Sequence, residues 1–474
     1  MVLRDDDQTE AEAEAEAEAE AVQPVDSEGR ATALRLLAFS SPHTRAFHLS
    51  WLSLAACFFA AFASPPLLPA LRPALRILPC HLSAASSASL LSALLSRLLL
   101  GPACHLLPSR LVLAAVSLLS ALPLPFIAAV AASPADYIAL RAVSGVSLAA
   151  FVANQDWVAA IFAPRVVGAA AALAAGWANA GAAAAQLVMP RAFELLRGPL
   201  GFTTDAAWRL AFVVPAALQV ATALAVVFLA DDDDVPGNKN KKNNKKELEG
   251  SGSFWEVLED GVGNYRGWVL ALTYGYCYGA ELIMENIAAR YFYEKFGLDM
   301  DSAGAAAAFF GAMNVVARPA GGMASDELGR RFGMRGRLWG LWAAQTVAGM
   351  LCILLGRMGR WSSSSVAPTV AVMVVFALFV QAASGLTFGI VPFVSKRSMG
   401  VISGMTGSGG VVGAMTMQLL FFSGSKYAIE TGISSMGAMI VVCTLPIALI
   451  RFPESGGMFC GPHSSSSAAR DGDY

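Results

Sequence analysis

Long apolar runs, each closed by a short break of charged residues, Pro or Ser, recur along almost the whole chain. WLSLAACFFAAFA opens at Trp51, LVLAAVSLLSALPLPFIAAVAA at Leu111, FVVPAALQVATALAVVFLA at Phe212 and VAPTVAVMVVFALFVQAASGLTFGIV at Val366. A helix of about 20 such residues covers a hydrocarbon core of about 30 Å. Counting the runs between breaks predicts roughly twelve spans and an all-α, polytopic membrane fold. The faintest spans are the second, around residues 82–102, and the eighth, which contains Arg318.

Three polar segments fall outside the pattern. TEAEAEAEAEAEA, from Thr9, sets glutamates two and four apart. A helix there would stack like charges and present no apolar stripe, so residues 1–46 read as a disordered acidic tail. DDDDVPGNKNKKNNKKELEGSGS (Asp231–Ser253) lies at the middle of the count and reads as a flexible linker over residues 231–263. The Ser-rich SSSSAARDGDY belongs to a C-terminal tail, residues 453–474. No basic region with a cleavage site opens the chain, so the first span is expected to act as the insertion signal. Lys and Arg favour connections on the side of the termini, among them GRRFGMRGR (Gly329–Arg337) and SKR (Ser395–Arg397), which predicts cytoplasmic termini.

Composition points the same way. Of 474 residues, 56% are hydrophobic and 14% charged, too little polar surface for a soluble protein of this length. The net charge of −2 gives no footprint for nucleic acid. The cysteines lie mostly in apolar spans without CxxC pairs and read as small buried hydrophobes. No P-loop, G-x-S-x-G or metal-spaced cluster appears, so neither enzyme chemistry, cofactor nor metal is expected.

If a linker joins two halves, the halves should match. SRLLLGPACHLLPSR surrounds Arg97 and ARPAGGMASDELGRR surrounds Arg318. Aligned on the arginines, Gly101 pairs with Gly322, His105 with Asp326 and Arg110 with Arg331, each 221 positions apart (97 to 318, 110 to 331). Further on, Arg165, Gly168, Gly181 and Gln186 pair with Arg397, Gly400, Gly413 and Gln418 at a spacing of 232 (165 to 397, 186 to 418). The expected halves are residues 47–230 and 264–452, six helices each, related as the parallel repeats of major facilitator transporters.

This places Arg97 and Arg318 in the second helix of their halves, at matching depth and facing one central cavity. Intramembrane charges are expensive and mark substrate pathways. The spans hold few acids to neutralise them: Asp156, Glu281, Glu285 and little else. A guanidinium donates in a planar fork that fits a small oxyanion bidentately, so nitrate, nitrite, bicarbonate or a small carboxylate is the expected partner. Glu281, in the seventh span near Tyr274, is the candidate proton carrier; helix capping or pairing with an arginine is its alternative role. Gly176 and Gly181 in GWANAGAAAA, with Gly407, Gly409, Gly410 and Gly413 in TGSGGVVGA, are sites for close helix packing.

GWANAG, GSGGVVG, TFGIVPFVSKRSMGVISGMTGSGG, RFGMRGRLWGLW, SSPHTRAFHLSWLSL and FPESGGMFCGP together resemble the plant high-affinity nitrate transporters of the nitrate/nitrite porter family, within the major facilitator superfamily. GWAN with Ala178, PVDSEGRAT and CGPHSSSS are more similar to the divergent seed and vacuolar branch. The resemblance implies Arg97 and Arg318 as nitrate ligands, Phe151 and Tyr274 as an aromatic sandwich and Asn179 as a supporting residue. It implies proton symport by alternating access, with nitrite or chlorate as further substrates. A gating loop is implied at Asp326, Arg330 and Arg331. It also brings in a small single-span accessory protein, and a plasma or vacuolar membrane location. The chain departs from the family pattern at Val411, where Asn is usual, at His105, which takes an Asp position, and at Asp156, which replaces an aromatic residue. A non-transporting nitrate receptor, a partner-dependent scaffold and a facilitator of another small anion are alternatives on the same fold.

Overall fold

The computed structural model describes residues 24–37, 42–163, 166–230, 254–360, 365–395, 398–423, 427–452 and 456–459. Proline starts or interrupts several spans, because it lacks the N–H that a helix interior needs. The first span is α1 (Pro42–Ala61), a 3₁₀ turn (Pro65–Leu67) and α2 (Leu68–Leu75). The second is α3 (Pro79–Leu106), and the third is α4 (Ser109–Ala121) with α5 (Pro123–Val130). The fourth joins α6 (Pro134–Val146) to α7 (Ala150–Ile161) through a 3₁₀ turn at Ser147–Ala149. The fifth is α8 (Val167–Arg197), and α9 (Thr204–Ala211) with α10 (Val213–Leu229) make the sixth.

A short α11 (Phe254–Gly263) leads into the second half. Its spans are α12 (Tyr265–Phe296), then α13 (Met300–Ala312) continued by α14 (Asn314–Arg360), then α15 (Val366–Phe388), α16 (Met399–Phe421) and α17 (Ile429–Thr444). Helix α14 holds two spans, divided at Gly333, whose backbone (φ 64°, ψ −157°) only glycine adopts without strain. Nine runs among the described residues meet the length and hydropathy of a membrane crossing. The division at Gly333 splits one of them, and α12 and α16 bring the total to the expected twelve. Helix α12 falls short on hydropathy because it carries Glu281, Glu285 and Arg290, and α16 because of its glycines. The chain is an integral, multi-pass membrane protein.

Three edges differ from expectation, the last being residues 456–459 of the expected tail, where Gly456–Gly457 pairs antiparallel with Arg451–Phe452 and the Met458 carbonyl accepts from Trp339 Nε1 at 3.1 Å. Residues 24–37, inside the expected disordered tail, pack on the bundle: the Ala31 amide donates to the Ile161 carbonyl and the Ala163 amide to the Ala31 carbonyl, both at 2.9 Å. The His43 ring meets the Gly29 carbonyl at 2.8 Å, and α1 begins at Pro42. Residues 254–263 of the expected linker form α11, whose Asp260 accepts from Ser398 Oγ at 2.7 Å and Ser395 Oγ at 3.1 Å. The remainder of the linker, residues 231–253, and the glutamate repeat lie outside the described residues.

The halves meet along α3 against α16 and along α8 against α13 and α14. At the end of the bundle away from the termini, two ion pairs cross between them: Arg72 with Glu294 at 2.6 Å and Arg191 with Asp301 at 3.3 Å.

Candidate functional site

Arg97 and Arg318 each lie eighteen residues into their spans (Pro79 to Arg97, Met300 to Arg318) and are 4% and 2% exposed. Arg97 points at the 3₁₀ turn of the fourth span, where its Nη2 donates to the Leu148 carbonyl at 3.2 Å. Its Nη1 crosses to the other half and donates to the Gly407 carbonyl at 2.8 Å. Both acceptors are neutral. The Phe151 ring stands 5.5 Å from the guanidinium carbon.

Arg318 is compensated differently. Its Nη2 donates to both oxygens of Glu281, at 3.0 and 3.2 Å, and its Nη1 to the Tyr274 hydroxyl at 3.4 Å. Asn314 Nδ2 at 3.2 Å and Ser384 Oγ at 2.5 Å also donate to this carboxylate. Of the three roles open to Glu281, this conformation displays arginine pairing.

Tyr278 joins the two arginines and was not among the expected site residues. Its ring lies 5.2 Å from the Arg318 guanidinium carbon and 6.0 Å from that of Arg97, and it stacks on Tyr274 with centroids 5.1 Å apart. Cation–π attraction therefore draws both guanidiniums to one aromatic face region. The signal was YGYCYG: Tyr274 and Tyr278, four apart, share a helix face. Among the described residues, the Tyr278 hydroxyl, Arg97 Nε and Arg318 Nε are buried without a hydrogen-bond partner. Asn314 Oδ1 is a fourth such atom, so the site holds two guanidiniums, one carboxylate and, among the described residues, four unmatched polar atoms.

Five of the six expected packing glycines set how closely the helices approach; Gly407 does not, because a Cβ there would meet open space. A Cβ on Gly410 would stand 2.5 Å from Tyr278 Cδ1, so the two tyrosines lie on bare backbone. Gly413 meets the backbone of Gly275, and Gly409 that of Ala271, making α12 against α16 a backbone contact. A Cβ on Gly176 would stand 2.7 Å from the Asn314 carbonyl oxygen across the halves, and Gly181 packs on the Ala55 carbonyl within the first half. In the loop dividing α14, Asp326 pairs with Arg337 at 2.9 Å, and Arg337 also donates to Ser325 Oγ and to the Gly389 carbonyl. Arg330 and Arg331 both pair with Glu327. The loop's central cation is therefore Arg337.

The profile of the Major Facilitator Superfamily matches residues 50–416. A protein of Oryza sativa subsp. japonica named "Probable high-affinity nitrate transporter 2.4" is 58% identical over 449 residues, 95% of this chain and 91% of its own. "High affinity nitrate transporter 2.7" of Arabidopsis thaliana is 48% identical over 94% of this chain and 90% of its own. The chain belongs to the plant high-affinity nitrate transporter family. Crystal structures of a D-xylose–proton symporter (TM-score 0.62, 12% identity, 84% of this chain and 96% of that one) and of a bacterial homologue of the lysosomal transporter Spinster (TM-score 0.60, 14% identity, 85% and 94%) share its fold.

The nitrate transporter family's remaining expected features are placed as follows. Asn179 Nδ2 donates to the Ala175 carbonyl at 2.8 Å, one turn back on its own helix. Val411 is wholly buried, and Asp156 accepts from the Ser109 hydroxyl. The His105 side chain lies outside the described residues. This is a family of transporters and not of enzymes.

Proposed function

We propose that this protein carries nitrate across a membrane by alternating access, coupled to protons, with the anion held between Arg97 and Arg318. The observation that carries the reading is the charge at the site: two buried guanidiniums stand beside one carboxylate, which pairs with Arg318 alone, so the site carries excess positive charge that draws a monovalent anion. Nitrate is planar and matches the guanidinium fork, Phe151 and Tyr274 flank the guanidiniums, and nitrite and chlorate offer related oxygens. The relatives' names agree with this choice.

Glu281 supplies a coupling. Its carboxylate occupies the Arg318 fork, and a proton on it removes the charge that holds Arg318, freeing the fork for nitrate. Proton and anion then enter together. Import against a negative interior costs about 2.3 kcal/mol per charge per 100 mV, which a cotransported proton offsets. With the termini in the cytoplasm, the face away from them is the loading face, in the plasma or vacuolar membrane. The bilayer is the medium, and a small single-span protein is the expected accessory partner.

Glu281→Gln tests the coupling. The amide keeps an acceptor for Arg318 but removes its counter-charge, so the variant should exchange labelled nitrate across liposomes at equal pH while losing acceleration by an inward proton gradient. Proton-driven accumulation that persists in the variant would remove Glu281 from the mechanism.

A further inference from the structure

Away from the central site, a second buried arginine lacks a carboxylate. Arg141, on α6, is 2% exposed; its Nη1 donates to the Ala61 carbonyl at 2.6 Å and its Nη2 to Asn286 Oδ1 at 2.5 Å. Among the described residues no acid lies within salt-bridge distance of it. Ala61 ends α1, and a helix C-terminus offers only about half a negative charge. The charge is therefore incompletely compensated, and its two acceptors come from opposite halves.

Arg141 lines a cavity of about 60 Å³ between the halves, together with Tyr137, Asn286, Arg290 and Ser86. A buried water needs about 10–15 Å³ on this measure, so the space has room for a small oxyanion. An adjoining cavity of about 250 Å³ shares Arg290 and adds Arg72 and Glu294. The two cavities are lined by three guanidiniums and by Glu294, which pairs with Arg72 (2.6 Å) and Arg290 (3.0 Å) and not with Arg141. The nearby acid Glu285 has its carboxylate beside Gly311. Both cavities lie at the end away from the termini. Arg141 precedes Leu148, the partner of Arg97, by seven residues on the same span, about 10 Å along the axis.

We infer that the Arg141 cavity is a second anion subsite, a waiting position for nitrate in series with the Arg97 and Arg318 site. It rests on the nitrate reading above. An anion there replaces Asn286 as a partner of the Arg141 fork and loosens a hydrogen bond that ties the fourth span to α12.

The test is equilibrium dialysis of labelled nitrate against the purified full chain at constant ionic strength, with melting temperatures to verify folding. Wild type should bind two nitrates, one tightly and one weakly. Arg141→Gln, which retains a donor for the Ala61 carbonyl, should lose the weak site and keep the tight one, and should raise the uptake KM about tenfold, the scale of one hydrogen bond to a charged group. Ser86→Asp, placing a tethered carboxylate in the cavity, should act alike. The double variant Arg97→Lys, Arg318→Lys should lose the tight site and keep the weak one. A single nitrate in wild type, or two in both folded cavity variants, would overturn the subsite and leave the central reading standing. A tight site that survives the double lysine variant but not Arg141→Gln would overturn the central reading instead.

Discussion

At the residue scale, the site is built from polar groups whose partners are unequal in charge. Arg97 is held by two carbonyls, Arg318 by a carboxylate and a phenol, and Tyr278 lies near both. A buried hydroxyl without a partner costs about 1–3 kcal/mol, a cost recovered when an acceptor arrives. Tyr278→Phe should therefore leave the melting temperature unchanged or raise it, while weakening nitrate binding about three- to tenfold, measured by dialysis beside the thermal shift. Unchanged binding would remove the hydroxyl from the site. The arginines were legible in the sequence because the repeat paired them. Glu281 as the partner of Arg318 was legible only as one of several roles, since Arg318 follows it by 37 positions and only the fold brings their long side chains together. Arg141 was missed because it has no counterpart in the repeat and its acceptors, a carbonyl and an amide from distant spans, leave no sequence pattern.

At the element scale, small residues decide which helices can touch. Helices α12 and α16 approach through Gly275, Gly409 and Gly413, and this contact also carries Tyr274 and Tyr278 on Gly410. Gly413→Val would drive a branched side chain into the Gly275 backbone. It should lower the thermal stability by several degrees and displace the tyrosines, so nitrate binding falls as well; a scan with and without nitrate separates the two effects. The helix count was legible from apolar run length, and even the eighth span, broken by Arg318 and Pro319, stood where expected. The 3₁₀ turn at Ser147–Ala149, which presents the Leu148 carbonyl to Arg97, was not legible, because SLAA carries neither Gly nor Pro to mark an interruption. The ordering of residues 24–37 was equally hidden: backbone pairing at Ala31 depends on where α7 ends, not on local composition.

At the scale of the whole molecule, the halves repeat their arginines but not the compensation. Only the second half brings a carboxylate to its arginine, and this asymmetry gives the site its net positive charge. Among the described residues, the polar contacts that cross the halves include Arg97 with Gly407, Arg141 with Asn286, Gln186 with the Glu285 carbonyl, and the Arg72–Glu294 and Arg191–Asp301 pairs. Rocking one half against the other must exchange these bonds, and the anion offers replacement acceptors to the arginines. The surface ion pairs are each worth about 0–1 kcal/mol, so the buried contacts dominate that balance. The most direct measurement is uptake of isotope-labelled nitrate by the purified protein in liposomes under an imposed proton gradient, comparing wild type with Arg97→Lys and Arg318→Lys. Lysine keeps the charge and loses the fork, so the account predicts gradient-driven uptake in wild type and a loss of at least about tenfold in each folded variant. Uptake that survives either lysine substitution would contradict a nitrate site built on paired guanidiniums.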